Sequence, residues 1–501
     1  MDDSKTANAQ NNKTISNEKF TATGFYMDDF GIVHNVDEIV IKANQSDTEA
    51  QYALGSCYLF GLANMPQNFE IAAEWFTKAA SQNHIVAQIR LGLLHKDGFG
   101  IPKNLEKAAY WFAKAANLND PIAQFFLGRC YHFGIGLPSS LETAMEWYER
   151  AANQDFPPAQ DILGYCYQKG LGVLQNYDSA FKWYLKAAEQ GYAEAQLDVG
   201  YCYQEGFGVS KSYELAMEWY KKAAELDYPP AMHNLGYYHE KGLGVTQNYE
   251  KALEWYLKAA EQNYAASQNN IGYIYKNGIG VSKDLSKGVE WYIKAAEQDE
   301  VLAQVNLGLC YKNGEGIAKN FVIAANWFSR ASEQGYAPGQ HELGQCFENG
   351  RGVPKDTAKA IELYSIAAEQ NYAESLCNLG RCYYLGIGVR KDYKKAIEFY
   401  LLAAEEGCIP AQHNLGVCYG FGGKGIRKDY NQAVYWYTKA AEQGHAAAQH
   451  NLAWHYLKGK GIAKNRSKAI ELYNMAARQG YELSIRYLTL TNKTTSLNKL
   501  F

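Results

Sequence analysis

The sequence predicts an all-α fold, an α/α superhelical solenoid of about twelve 36-residue helix-turn-helix repeats, on three features that recur in register. A Leu-Gly pair ending at Gly55 returns at Gly92, Gly128, Gly164, Gly200, Gly236, Gly272, Gly308, Gly344, Gly380 and Gly416, nearly always 36 residues on. A twelfth copy reads Leu452-Ala453, and Val199 and Ile271 replace the leucine in two others. An aromatic pair follows most of these glycines by about nineteen residues, as in Trp147-Tyr148 and Trp183-Tyr184, and this slot holds nine of the ten tryptophans. A side chain able to cap a helix stands about twelve residues after the glycine in every copy.

One unit shows how the elements arise. Ala231, Leu235 and Tyr238 or His239 recur at helical spacing until Gly242-Leu243-Gly244 breaks the pattern, which predicts a first helix and a glycine turn. Ala252, Trp255, Tyr256, Ala259 and Ala260 then form an apolar face with i, i+3, i+4, i+7, i+8 spacing, which predicts a second helix. Its start is marked by Asn248, equivalent to Asn68, Asn104, Ser140, Asn176, Ser212, Asp284, Asn320, Asp356, Asp392, Asp429 and Asn465. Each accepts hydrogen bonds from otherwise free amides, a contribution of about 1 kcal/mol per cap. The repeat glycine lies inside the first helix, where it costs about 1 kcal/mol relative to alanine. A cost taken at nearly every copy predicts that the two helices of a unit touch at this point, too closely for a Cβ.

The ends depart from the pattern. Met1 to Lys19 is polar and almost free of large apolar residues, which predicts a disordered tail. Within residues 1–45, the stretch from Phe20 to Ala43 contains Ile32, Val33, Val36, Ile39, Val40 and Ile41 and reads as a degenerate cap over a solenoid of residues 46–480. Residues 481–501 read as a closing helix around Leu483, Ile485, Tyr487 and Leu488, with Asn492 to Phe501 loose.

With the motifs A-Q-x-x-L-G-Y-C-Y-x-x-G-x-G-V, seen at Ala159–Val173, and K-A-x-E-W-Y-x-K-A-A-E-Q, seen at Lys251–Gln262, the chain resembles the Sel-one-like repeat family, relatives of the tetratricopeptide repeats. The resemblance extends over about Asp47 to Gly480. It implies a right-handed superhelix of helix pairs and a role as scaffold or adaptor, in settings such as signalling or quality control. It also carries an alternative, because a few bacterial relatives have been linked to β-lactam hydrolysis. No S-x-x-K is placed here in a groove with a base, so the sequence favours an interaction protein over an enzyme.

Composition narrows the partners. A formal charge of −4 and a pI near 6.3, with acids and bases interleaved, give no basic stripe for nucleic acid. No apolar run of signal-peptide or membrane-span length is present, which predicts a cytoplasmic protein. Eight of the ten cysteines fall two residues after the repeat glycine, so they are one structural position and predict buried free thiols. The G-x-G pairs, such as Gly170 and Gly172, sit between helices and make no dinucleotide fingerprint, and no cofactor is implied.

The candidate site is the concave face, expected to be lined by first helices. One residue after the glycine stand Tyr165, Tyr201, Tyr237 and Tyr273, either a stripe for a peptide partner or rings packed against the next first helix. Two residues before it stand Asn234, Asn270, Asn306, Asn378, Asn414 and Asn451, interrupted by Glu342, either a ladder for a peptide backbone or braces between helices. Tyr165 to Asn306 is the best stretch if both rows bind. Three residues before it stand His233, His341, His413 and His450, without the carboxylates or thiolates that a metal site needs.

Overall fold

The computed structural model describes residues 25–27, 33–422 and 427–497; side chains are described from 35 to 490 within these. The segment Met1 to Lys19, expected to be a tail, lies outside them. Contacts divide the chain into two units, Met1–Trp255 and Tyr256–Phe501. Twenty-six helices and one short hairpin are present among the described residues.

The first unit begins with β1 (Phe25–Met27) antiparallel to β2 (Val33–Asn35), Tyr26 opposite His34. Then comes α1 (Val36–Asn44), followed by α2 (Thr48–Phe60) with α3 (Phe69–Ser81) and α4 (Ile85–Asp97) with α5 (Leu105–Asn117). The pairs α6 (Pro121–Phe133) with α7 (Leu141–Ala152), α8 (Pro157–Lys169) with α9 (Tyr177–Glu189), and α10 (Ala193–Glu205) with α11 (Tyr213–Glu225) come next, then α12 (Pro229–Lys241). Helix α13 (Tyr249–Glu261) contains the boundary. The second unit holds α14 (Ala265–Asn277) with α15 (Leu285–Glu297), α16 (Val301–Asn313) with α17 (Phe321–Glu333), and α18 (Ala337–Asn349) with α19 (Thr357–Glu369). It continues with α20 (Ala373–Leu385) and α21 (Tyr393–Glu405), α22 (Ile409–Phe421) and α23 (Tyr430–Glu442), α24 (Ala446–Lys458) and α25 (Arg466–Arg478), and ends on α26 (Glu482–Leu497).

All twelve cap residues do what their chemistry predicts. Asn104 Oδ1 accepts from Lys107 N at 2.8 Å, Asn248 Oδ1 from Lys251 N at 2.9 Å and Asp284 Oδ1 from Lys287 N at 2.9 Å, and the other nine accept likewise. The first helices stop at a glycine in left-handed backbone, as at Gly206 (φ 80°), whose N–H returns to Cys202 O. The second glycine of that turn faces the preceding pair: a Cβ on Gly208 would come within 2.3 Å of the Tyr177 carbonyl oxygen.

The repeat glycine touches the second helix of its own pair, and the ring it meets is the second aromatic of the slot, not the tryptophan. A Cβ on Gly55, Gly128, Gly200, Gly308 or Gly416 would lie 2.5–2.7 Å from Phe76, Tyr148, Tyr220, Phe328 or Tyr437. These rings are fully buried, whereas the tryptophans of the slot are half-buried on the rim, where a cation one helical turn on covers most of them. Lys222 Nζ lies 3.6 Å from the Trp219 ring centre, and Arg150 covers Trp147.

Neighbouring pairs are joined by glutamines. The buried glutamine four residues before the repeat glycine donates to a carbonyl at the end of the preceding second helix, as Gln160 Nε2 does to Ala152 O at 3.1 Å. Its oxygen accepts from the glutamine that ends the next second helix, as in Gln190 Nε2 to Gln160 Oε1 at 2.8 Å and Gln298 to Gln268 at 2.7 Å. Where that terminal residue is Leu118 or Leu226, the oxygens of Gln88 and Gln196 are buried without a partner.

Repeat register explains both ends, and the clasp itself recurs at the first. Gln51 Nε2 donates to Ala43 O at 3.2 Å, so α1 stands where a second helix would, with Ile39 and Ala43 packed on Ala50, Leu54 and Cys57. Helix α26 occupies first-helix register, with Thr489 at the glycine position and Tyr487 4.2 Å from Tyr473 between ring centres. It runs through Asn492 to Leu497, which sequence reading left loose, because Thr495 stands where other first helices have their terminating glycine.

Two outcomes follow for stability. Gly200→Val forces a side chain into the Tyr220 ring and lowers stability by about 1–3 kcal/mol or more in denaturant titration, against the gain that a glycine replacement brings to an open helix. Leu226→Gln supplies the missing donor to Gln196 and raises stability by about 1 kcal/mol, which the same titration reads.

Candidate partner-binding face

The first helices carry the candidate residues, and the repeat glycine sets their direction. With the glycine against the second helix, the next residue points away from it, so the tyrosine row reaches solvent. Tyr165, Tyr201 and Tyr237 in the first unit and Tyr273 in the second keep 39–50% of their surface exposed. They are not buried packing rings. Tyr201 meets Phe207 edge-on, and Lys241 lies 5.7 Å from the Tyr237 ring centre.

The asparagine row is half-buried and divides by the partner each position meets. Asn306 Nδ2 donates to Asn269 Oδ1 at 2.9 Å, and Asn451 Nδ2 bonds His413 Nε2 at 3.2 Å, so these amides brace neighbouring first helices. Asn234 and Asn270 make no side-chain hydrogen bond among the described residues, so their amides remain available.

The histidines are structural in character. His341 Nδ1 is 2.9 Å from Ser375 Oγ, with Gln345 Nε2 on its other nitrogen at 2.8 Å, and His450 Nδ1 is 2.8 Å from Ser484 Oγ. Burial lowers His341 and His413 to about 4, so both are neutral at pH 7. Ser375 and Ser484 have no exposed surface, so no substrate could reach either hydroxyl. The sequence carries this signal, since the serine follows the histidine by 34 residues in both cases and at His233 and Ser267. Among the described residues no group of three or more potential ligands could hold a metal ion.

Charges on this face were not foreseen as a set. In the second unit they are paired between neighbours: Lys276 with Glu315 at 2.8 Å, Lys312 with Glu342 at 2.6 Å, and Arg381 with both oxygens of Glu348 at 2.6 Å. In the first unit, Asp161 and Asp198 on α8 and α10 have no cation among the described residues. Burial, then the charges of Asp198 and Glu194, raises Asp161 well above the usual carboxylate range, and one of its oxygens is buried without a partner. Burial, then Glu194, pushes Asp198 up to about 7.

All ten cysteines are free thiols. Burial raises Cys130, Cys166, Cys202 and Cys418 to about 12, which makes them inert.

The Sel1 repeat model matches twelve consecutive segments from 48–84 to 446–481, so the chain belongs to the Sel1 repeat family. Its fold is one typical of protein–protein interaction scaffolds and generally non-catalytic. Among solved structures, a protective antigen present in uropathogenic Escherichia coli strains, displaying an SLR fold, is 35% identical. The match covers 84% of this chain and 90% of that one, with a TM-score of 0.62. A Sel1 repeat protein from Oxalobacter formigenes is 28% identical over 62% of this chain and 90% of that one, with a TM-score of 0.50. No curated protein matches. Among the described residues no helix is long and apolar enough to cross a membrane.

The Asp161 and Asp198 pair makes stability depend on pH. The folded chain holds protons there that the unfolded chain releases near pH 4, so this contribution is complete below about pH 4 and is lost as pH rises through about 7. Asp198→Asn raises the thermal midpoint by a few degrees at pH 8 and leaves it nearly unchanged at pH 4.

Proposed function

We propose that this chain is a non-catalytic scaffold that binds a peptide or a partner protein on the face formed by its first helices. The observation that carries this reading is the exposure of Tyr165, Tyr201, Tyr237 and Tyr273 at one register position on otherwise well-packed helices. Half-exposed tyrosines offer large contact area at low cost in side-chain entropy. Asn234 and Asn270 add free amides one helical turn away, which suits an extended backbone, while Asn306 joins the contact only by giving up its bond to Asn269. The full set is therefore Tyr165, Tyr201, Tyr237, Tyr273, Asn234, Asn270 and Asn306. The scaffold reading is supported by the pairing of His341 with the buried Ser375 and of His450 with the buried Ser484, which gives these side chains a bracing role. A cytoplasmic setting, where free thiols persist, agrees with the ten unbridged cysteines.

A variant with the four tyrosines as serine tests this reading. Peptides selected from a random displayed library on the wild-type chain lose at least tenfold in affinity on the variant, while its helical circular dichroism is unchanged. Equal affinity would move the site off this row.

A further inference from the structure

Two cysteines stand outside the shared register, and the fold brings them together. In several pairs the residue three before the repeat glycine meets the residue that caps the start of the next first helix. Tyr52 and His84 have ring centres 4.6 Å apart, His341 and Tyr372 5.4 Å, His413 and His445 4.8 Å, and His450 and Tyr481 5.2 Å. At the junction of α20 and α22 both partners are cysteine, Cys377 and Cys408. The same register sets their side chains against each other at one small core. Cys377 is buried in a core with Leu376, Tyr400 and Leu415, and Cys408 packs on the edge of that core with part of its surface exposed. Cys408 is also the N-cap of α22, where the helix terminus favours negative charge.

We propose that Cys377 and Cys408 are a redox-active pair that closes to a disulfide by exchange with a low-molecular-weight disulfide, Cys408 attacking and Cys377 resolving. The neighbouring Cys377 thiol outweighs burial and brings Cys408 down to about 7. The neighbouring Cys408 and burial raise Cys377. The charged and titratable groups facing the pair are Glu374 and Arg381 on α20 and Tyr400 on α21. The Cys408 thiolate attacks one sulfur of the small disulfide, forming a mixed disulfide and expelling a thiolate that takes up a proton. Cys377 then gives its proton to solvent, and its sulfur attacks Cys408 Sγ, which releases the second small thiol. Two protein thiols are oxidised by two electrons, and one small disulfide becomes two thiols. The bridge ties α20 to the start of α22 around α21.

The test exposes the full chain to oxidised glutathione, quenches with iodoacetamide and maps peptides without reduction. One bridged peptide, Cys377 to Cys408, is expected, with the other eight cysteines alkylated only after unfolding. Cys377→Ser leaves glutathione on Cys408, and its alkylation midpoint shifts up from near pH 7. Cys408→Tyr, which restores the residue found at this position in several other pairs, gives neither adduct nor bridge and keeps the fold. If the folded chain shows no such bridge over hours in which the unfolded chain oxidises, or if Cys408→Tyr bridges Cys377 elsewhere, the proposal is overturned.

Discussion

The contact between the repeat glycine and the buried ring twenty residues on governs the structure. It removes the Cβ that would hold the helices of a pair apart, and it orients the first helix about its own axis. Once that rotation is set, the alanines and cysteines face inward, the preceding glutamine reaches the junction with the next pair, and the following residue must face away. Helix propensity is given up at each glycine, and the buried ring more than offsets it, since full burial of an aromatic side chain is worth about 1.5–3 kcal/mol. The exception at Ala453 keeps the position buried with a single methyl group, the smallest departure available.

The second constraint acts between pairs. A solenoid has no global core, so each junction must carry its own specificity. Apolar contact alone would allow neighbouring pairs to slide. The glutamine clasp prevents this, because each amide bonds a helix-end carbonyl on one side and another amide on the other, and both are buried where a lost partner is costly. The two orphaned oxygens opposite Leu118 and Leu226 show that the pattern is a real interaction and not a compositional habit, since the polar atom stays behind when its donor is replaced.

Periodicity made the helices, turns and caps legible because each rests on local chemistry: an amide needing an acceptor at Asn104, a left-handed residue needing glycine at Gly206. What escaped depends on contacts between distant residues. The Trp-Tyr slot was plain, but not that Tyr148 is the buried partner and Trp147 the rim, because both rings are large and apolar and only the helix rotation separates them. The glutamines stood in the A-Q and E-Q motifs without revealing that they bond each other across thirty residues. The hairpin of β1 and β2 gave no signal, being three residues on each side.

On the candidate face, register predicted direction well and partnership poorly. The four tyrosines one residue after the glycine are exposed, although Ser56 at the same position is buried, and the fate of each asparagine depends on which residue the neighbouring helix offers: Asn269 for Asn306, His413 for Asn451. The charges follow the same rule. Lys312 and Arg381 found acids one pair along, so their fields are neutralised locally, but Asp161 and Asp198 met each other and no base. A scaffold of near-identical units thus acquires difference along its length through mismatched neighbours. The places where a local pairing rule fails, at the two aspartates and at the paired thiols, are where chemistry particular to this chain resides.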